Sequence, residues 1–172
     1  MERVFEVEGK NLGVKCSAGT VRSYRNLLGR DLIKDMVDLE KELIETKTLD
    51  SASAEIAENV VYLMAKEYDE SIPAMNEWLS RFSPYFVFNV VAQVIYMWRE
   101  NLKTINESKK KLKKTERDWT AALFLLRAAQ IGLTMKDLDE VTVGMVLDMY
   151  VEMSNDHVKY AELATQEDMN NF

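Results

Sequence analysis

The chain has 172 residues, a length that suits one domain of ordinary size or one domain with a small appendage. Hydrophobic residues make up 47% and charged residues 30%, which excludes a disordered chain. With 29 acidic and 22 basic side chains the net charge is −7, so the chain as a whole repels nucleic-acid phosphates. The single cysteine, Cys16, excludes a disulfide within the chain and fits a reducing cytoplasm.

No segment predicts export or membrane crossing. The N-terminus lacks a basic region followed by an apolar run, so we expect no signal peptide. The most apolar stretch, residues 85–98, is shorter than the roughly 18 to 20 residues that span a bilayer, and it contains Asn89 and Gln93. With only 6 Gly and 2 Pro, the composition favours helix.

The first predicted element is a short β-hairpin. Residues 4–7 alternate apolar and charged side chains, and residues 12–14 are expected to pair back across a loop at 8–11. An isolated two-stranded hairpin is marginal in water, so we expect it to lean on a helix.

Four helices are expected next, and the first of them should stop at Gly29. The second is amphipathic, with an inward stripe formed by Leu32, Met36, Leu39 and Leu43. The predicted ranges of the four are residues 20–28, residues 31–46, a helix capped by Ser51 or Ser53 that runs to about residue 68, and a short helix from Pro73 to residue 79.

Ser83 and Pro84 are expected to open the longest helix, which runs to about residue 106. Asn89, Gln93 and Glu100 line one narrow polar stripe, while most other positions up to Trp98 are apolar. A helix that is apolar around most of its circumference is buried on most sides. It is either a central core helix or part of an oligomer or partner interface.

Composition changes at residues 107–118, which carry five lysines between positions 109 and 114. We interpret this segment as a basic linker between a helical domain, residues 1–106, and a helical extension, residues 119–172. The alternatives are a solvated linker, with lysines favoured near a helix C-terminus, and a nucleic-acid contact through residues 109–114.

The extension is expected to contain two helices, over residues 120–130 and residues 141–160. Gly132 is placed as the stop of the first, and Thr134 with Asp137 resembles an N-terminal cap. Residues 164–172 are polar apart from two apolar side chains, and we expect them to be loosely held.

Methionine is enriched, at 10 of 172 residues, and three of them, Met145, Met149 and Met153, stack at a spacing of four. Flexible, polarizable side chains fill helical cores and also suit surfaces that grip varied partners. Core packing and a contact surface both remain open for this stripe.

The residue pattern predicts no catalytic residue, metal site or cofactor. His157 is the only histidine, with no second histidine to complete a zinc set, and we interpret it as a surface residue near a helix end. Gly9 to Gly13 lacks the spacing of a phosphate-binding loop. We therefore expect a protein that is not an enzyme.

Two stretches are similar to a known family. The first runs from MERVFEV at residues 1–7 to FVFNVVAQ at residues 86–93. The second is TAALFLLRAAQIGL at residues 120–133, followed by short matches at 138–139, 144–150, 154–156 and 164–168. Together they resemble the tail assembly chaperones of long-tailed phages that infect Gram-positive bacteria. The chain resembles the long, frameshift-type form, with the lysine run where a slippery codon stretch would lie.

The resemblance implies a mostly α fold and a role without catalysis in the host cell cytoplasm. The N-terminal part would coat the tape measure protein and keep it soluble, and the C-terminal part would recruit major tail tube subunits. The chaperone would be absent from the mature virion. No nucleic acid or membrane partner is implied, and self-association is a further expectation from the apolar long helix.

We expect partner contacts to involve aromatic, methionine and neighbouring side chains of both parts. They are Trp119, Leu123, Arg127, Met145, Met149, Tyr150, Met153, Phe86 and Trp98. The alternatives are a structural tail component that stays in the virion and a helical protein-binding adaptor.

Overall fold

The computed structural model of this chain describes residues 1–106 and 117–156. It is 63% helical, with a two-stranded antiparallel hairpin followed by helices, so the predicted mostly α class with an N-terminal hairpin is confirmed. The basic run 109–114, His157 and residues 164–172 lie outside the described residues, and the predictions for them stay predictions.

The hairpin pairs β1 (Glu2–Val7) with β2 (Lys10–Lys15), so that Val7 lies opposite Lys10. The predicted loop at 8–11 is too long, because only Glu8 and Gly9 form the turn. Both have positive φ, 52° and 70°, which is the backbone that a tight two-residue hairpin turn requires. The hairpin packs against a helix, as expected. A Cβ atom added at Gly13 would lie only 2.1 Å from the ring of Tyr68.

Three helices follow, and local side chains determine where they begin and end. They are α1 (Ala18–Leu28), α2 (Leu32–Thr46) and α3 (Ser51–Tyr68). Helix α1 begins two residues before the predicted start because Ser17 and Thr20 form a reciprocal cap, and it stops at Gly29 in the left-handed conformation, as predicted. Asp50, rather than Ser51 or Ser53, caps α3 by accepting a hydrogen bond from the Ser53 N–H.

The next two helices are α4 (Met75–Leu79) and α5 (Phe86–Leu102). Pro73 does not open α4; its carbonyl instead accepts a hydrogen bond from the Tyr62 hydroxyl at 2.9 Å. Helix α5 is not the longest, because it has 17 residues and α3 has 18. It ends before residue 106 because Asp148 accepts hydrogen bonds from the N–H groups of residues 105 and 106 and holds them outside the helix.

Helix α5 lies mostly in the core, which confirms the core-helix alternative for most of its length. Nine of its residues are buried, including Val90 and Val94, while Asn89 and Gln93 point outward as the polar stripe predicted. Two large apolar side chains, Phe88 and Tyr96, nevertheless remain exposed beside that stripe.

Beyond the linker the chain forms α6 (Ala121–Gln130), a short 3-10 helix (Asp137–Asp139) and α7 (Val143–Asn155). Gly132 has the left-handed backbone expected of a stop, with φ 84°. Helix α7 begins two residues after the predicted start, because the carbonyl of Val141 accepts a hydrogen bond from Ala18 and Thr142 caps the helix. Residues 157–160, which were predicted to extend it, lie outside the described residues.

Residues 119–156 pack directly against residues 1–106. Asn101, fully buried on α5, donates a hydrogen bond to the Cys16 carbonyl at 2.9 Å and accepts one from the Val143 N–H at 3.0 Å. A Cβ atom added at Gly144 would lie 1.8 Å from the carbonyl oxygen of Lys103. Helix α7 therefore approaches the end of α5 this closely because residue 144 has no side chain. Both parts contribute to one hydrophobic core, while their division into two folding units stays a prediction.

Candidate protein-binding surfaces

The methionine stripe lies on the outside of α7. Met145, Met149 and Met153 are 49%, 42% and 39% exposed. The core-packing alternative for these three side chains is therefore wrong in this structure. The helix buries its other side, where Val143 and Val146 are fully covered.

Two other predicted contact residues join α6 to α7. The guanidinium of Arg127, on α6, sits over the ring of Tyr150, on α7, with 4.9 Å between its central carbon and the ring centroid. Such a cation–π contact fixes the two helices against each other. Both side chains are half-buried, as are those of Leu123 and Trp119, so each offers only part of its surface to a partner.

Trp119 packs against α6 and faces α2 across an open cavity. Its ring meets the buried ring of Phe124 edge to face, with 6.2 Å between centroids. Together with Ile33 and Val37 of α2 it also lines an open cavity of about 460 Å³.

Phe86 and Trp98 lie inside the protein, each only 2% exposed. Phe86 stacks with Phe82 at a centroid distance of 4.7 Å and meets Trp78 edge to face at 5.7 Å. The prediction that Phe86 and Trp98 contact a partner does not fit this conformation, because a partner would reach them only if the core opened. Their aromatic surface stabilises the fold instead.

The surface that sequence reasoning missed is a groove between α2 and α5, which we call the α2–α5 groove. A cavity of about 260 Å³ lies between the helices, and a neighbouring one of about 300 Å³ lies along the outer side of α2. Their apolar lining consists of Val37, Leu43, Ile44, Ala92, Ile95 and Tyr96.

The α2–α5 groove is open to a partner. Val37, Ile44 and Tyr96 are each more than half exposed. An ion pair between Glu40 of α2 and Arg99 of α5 crosses one end of it, so part of its charge is already neutralised within the chain. The sequence contains a signal for this surface, because Val37 and Ile44 are apolar residues seven apart on the side of α2 that faces away from its inward stripe.

A polar cleft of about 370 Å³ lies where β2, α1, α3 and the 3-10 helix meet. Glu67 accepts a hydrogen bond from the Thr20 hydroxyl there at 2.6 Å, and Arg22 pairs with Asp139 at 3.0 Å. Loss of solvent raises the pKa of Glu67, and the nearby Asp139 charge acts in the same direction. The cleft is lined by both cations and anions, so it does not present one sign of charge to a ligand.

Cys16 is not a nucleophile in this fold. It is fully buried, and burial raises the pKa of its thiol to about 12. The reactive thiolate is therefore scarce at neutral pH. Among residues 1–106 and 117–156, no three or more His, Cys, Asp or Glu side chains are grouped so that they could hold a metal ion.

No family model matches this chain, and comparisons with curated proteins and with solved structures found no match either. In the part of the chain that the structure describes, no helix is both long and apolar enough to cross a bilayer. The α2–α5 groove and the outer side of α7 are two exposed apolar surfaces that a partner protein could cover.

Proposed function

We propose that this chain is an assembly chaperone without catalytic activity, which holds apolar helical segments of another protein in the α2–α5 groove. The single observation that supports this proposal is the groove itself, in which Val37, Ile44 and Tyr96 are each more than half exposed. Contiguous exposed apolar surface between two helices is typical of a site that receives the apolar side of a partner helix.

The resemblance of the sequence to tail assembly chaperones supplies the biological setting of the proposal. The partner held in the groove would be the tape measure protein, and the extension would recruit major tail tube subunits in the host cell cytoplasm. A shallow groove suits this task, because a chaperone that is displaced during assembly needs modest affinity at each site. The chain would leave before the virion matures.

Co-expression with the tape measure protein of the same phage tests the groove directly. The unchanged chain should keep that protein in the soluble fraction, and Ile44→Glu should lose this effect because a charge would lie on the apolar lining. Leu27→Glu is the matched control, since Leu27 is equally exposed on α1, away from the groove. Equal retention by Ile44→Glu would contradict the groove, and an insoluble tape measure protein beside the unchanged chain would contradict the chaperone.

A pull-down from infected cells separates the two parts. A chain that ends at Lys114 should retain the tape measure protein, and only the full chain should also retain the tail tube protein. Mass spectrometry of purified virions is the complementary measurement. Stoichiometric amounts of this chain in the particle would favour the alternative of a structural tail component.

A further inference from the structure

The outer side of α7 carries methionines and acids together. Because a helix has 3.6 residues per turn, Glu152 and Asp156 fall on the same side as Met145, Met149 and Met153. We call these five residues the methionine face. Its three apolar members are exposed, so the face pairs adaptable apolar side chains with carboxylates.

The charge of this face is of one sign. Helix α7 contains no lysine, arginine or histidine, and its last turn has no basic residue. Within the described part of the chain, neither Glu152 nor Asp156 forms a salt bridge, whereas Asp148 on the same helix is occupied by backbone N–H groups of residues 105 and 106.

The position of these carboxylates is locally unfavourable. The C-terminal end of a helix carries partial negative charge, so acids there are repelled and cations are favoured. Glu152 and Asp156 lie at that end of α7, and a cation brought by another molecule would relieve both the helix dipole and the carboxylates. The α2–α5 groove differs in this respect, because its Glu40 is already paired with Arg99.

We propose that the methionine face is a docking site for a basic amphipathic helix of a partner protein. The apolar side of that helix would cover Met145, Met149 and Met153, and its lysines or arginines would pair with Glu152 and Asp156. This site goes beyond the proposed function, because it lies on a different surface from the groove and has a different charge.

A second copy of this chain does not fit the same site. Two methionine faces packed against each other would place Glu152 and Asp156 of one copy near those of the other, and the whole chain carries a charge of −7. Like charges brought together in an interface oppose association. The complementary partner is a helix of opposite charge.

The test uses the full chain and a labelled designed peptide of about 18 residues, roughly five helical turns, with leucine on one side and lysine on the other. A control peptide keeps the leucines and replaces each lysine with glutamate. Fluorescence anisotropy should show saturable binding of the basic peptide that weakens as salt is raised, and much weaker binding of the acidic peptide.

Variants locate the site. Met145→Gln together with Met149→Gln should weaken binding about tenfold, and Glu152→Gln with Asp156→Asn should weaken it about three- to tenfold and flatten its salt dependence. The matched controls are Leu27→Gln for the methionines and Glu55→Gln for the acids, because both are exposed on other helices and lie outside the α2–α5 groove. They should leave the affinity within about twofold.

Four outcomes would overturn the proposal. They are equal binding of the two peptides, equal weakening by the control variants, weakening by Ile44→Gln as large as by the methionine pair, and no saturable binding by the full chain. The third would place the peptide in the α2–α5 groove and leave the chaperone proposal intact. The fourth would mean that a second copy, residues 157–172 of the same chain, or nothing at all covers the face.

Discussion

Asp35 is a buried carboxylate on α2 that connects this helix to α1 and to the loop between the two helices. It accepts hydrogen bonds from the Tyr24 hydroxyl and from Nε and Nη2 of Arg30, each at 2.7 Å. The bidentate geometry with Arg30 and the hydrogen bond from Tyr24 satisfy both carboxylate oxygens. Burial and the Asp35 hydrogen bond raise the pKa of Tyr24, so its hydroxyl remains a donor at every ordinary pH.

Removing this carboxylate should cost more than removing an exposed one. We expect Asp35→Ala to lower the free energy of unfolding by about 2–4 kcal/mol, because the Tyr24 hydroxyl and the Arg30 guanidinium would lose a shared partner. Asp38→Ala, on the exposed side of the same helix, is the control and should change stability by less than about 0.5 kcal/mol. Urea denaturation followed by circular dichroism measures both, and equal losses would contradict the assignment.

Glu67 makes stability depend on pH in an uncommon direction for a carboxyl group. Burial raises its pKa above the ordinary value of 4.5, against the opposing hydrogen bonds from Thr20 and Ser23 and the charge of Lys15. The folded state thus binds this proton more tightly than the unfolded state does. The contribution of Glu67 to stability is favourable at low pH and is lost as pH rises from 4.5 through the raised pKa.

Glu67→Gln should therefore stabilise the protein at pH 7, because the neutral amide accepts the Thr20 hydrogen bond without the cost of burying a charge. The gain should shrink as pH is lowered to 4.5, where the carboxyl group of the folded state is more than half protonated because its pKa lies above that value. Thermal unfolding between pH 4.5 and 8 measures the difference. Glu70→Gln, an exposed neighbour on the same side of the cleft, should show no such trend, and a gain at pH 7 that did not shrink would contradict the mechanism.

At the scale of elements, α7 is held by backbone contacts that a side chain would disrupt. Asn101 supplies an extra acceptor for the Val143 N–H at the start of the helix, and Gly144 lets it approach the Lys103 carbonyl. These contacts place Val143 and Val146 in the core and so turn the methionines outward. The orientation of α7 therefore depends on α5 rather than on its own composition.

Asn101→Ala should release the start of α7. The substitution leaves the Cys16 carbonyl and the Val143 N–H without a partner in a buried position, so we expect a loss of about 2–4 kcal/mol. Relative to the unchanged chain, the substitution should accelerate amide hydrogen exchange in the first turn of α7 more than in α3. Asn89→Ala, exposed on α5 itself, is the control, and unchanged protection of α7 in Asn101→Ala would show that Gly144 packing alone holds the helix.

At the scale of the whole molecule, the two predicted parts share one core. Phe124 and Val146, from the extension, join the same buried cluster as Val94 and Trp98 of α5. Arg22 adds a polar connection, because it pairs with Asp139 and also donates to the carbonyl of Met135 at 2.6 Å. Unfolding the extension alone would expose this interface on both sides.

We expect the full chain to unfold in a single cooperative step, because each part buries apolar surface against the other. Hydrogen exchange under increasing urea is the measurement: the slowest amides of α5 and α7 should converge on one free energy of opening. If α7 opened several kcal/mol below α5, the division at residues 107–118 would be a true boundary between folding units. That outcome would also favour an extension that acts independently in recruitment.

Local chemistry explains why the elements of this chain could be predicted from its sequence. Caps such as Asp31 and Thr142, and stops such as Gly29 and Gly132, act within a few residues, so most helix bounds are correct to within about two residues. The inward stripe of α2 follows equally from spacing. Among the described bounds the one larger error is the end of α5, expected near residue 106 and found at Leu102, because the distant Asp148 binds the backbone there. At Pro73, whose carbonyl accepts a hydrogen bond from the distant Tyr62, the error is only two residues.

The sequence by itself thus determined the mostly α class, the hairpin, the helix order and the groups of residues that share a side of each helix. Periodicity reports which side chains point together, but it does not report what lies opposite them. Only the tertiary structure decided that Phe86 and Trp98 are covered, that Met145 and Met149 are not, and that Ile44 lines a groove with α5. The reason is that burial of a helix side depends on which neighbours fold back on it, and those contacts join residues far apart in the chain.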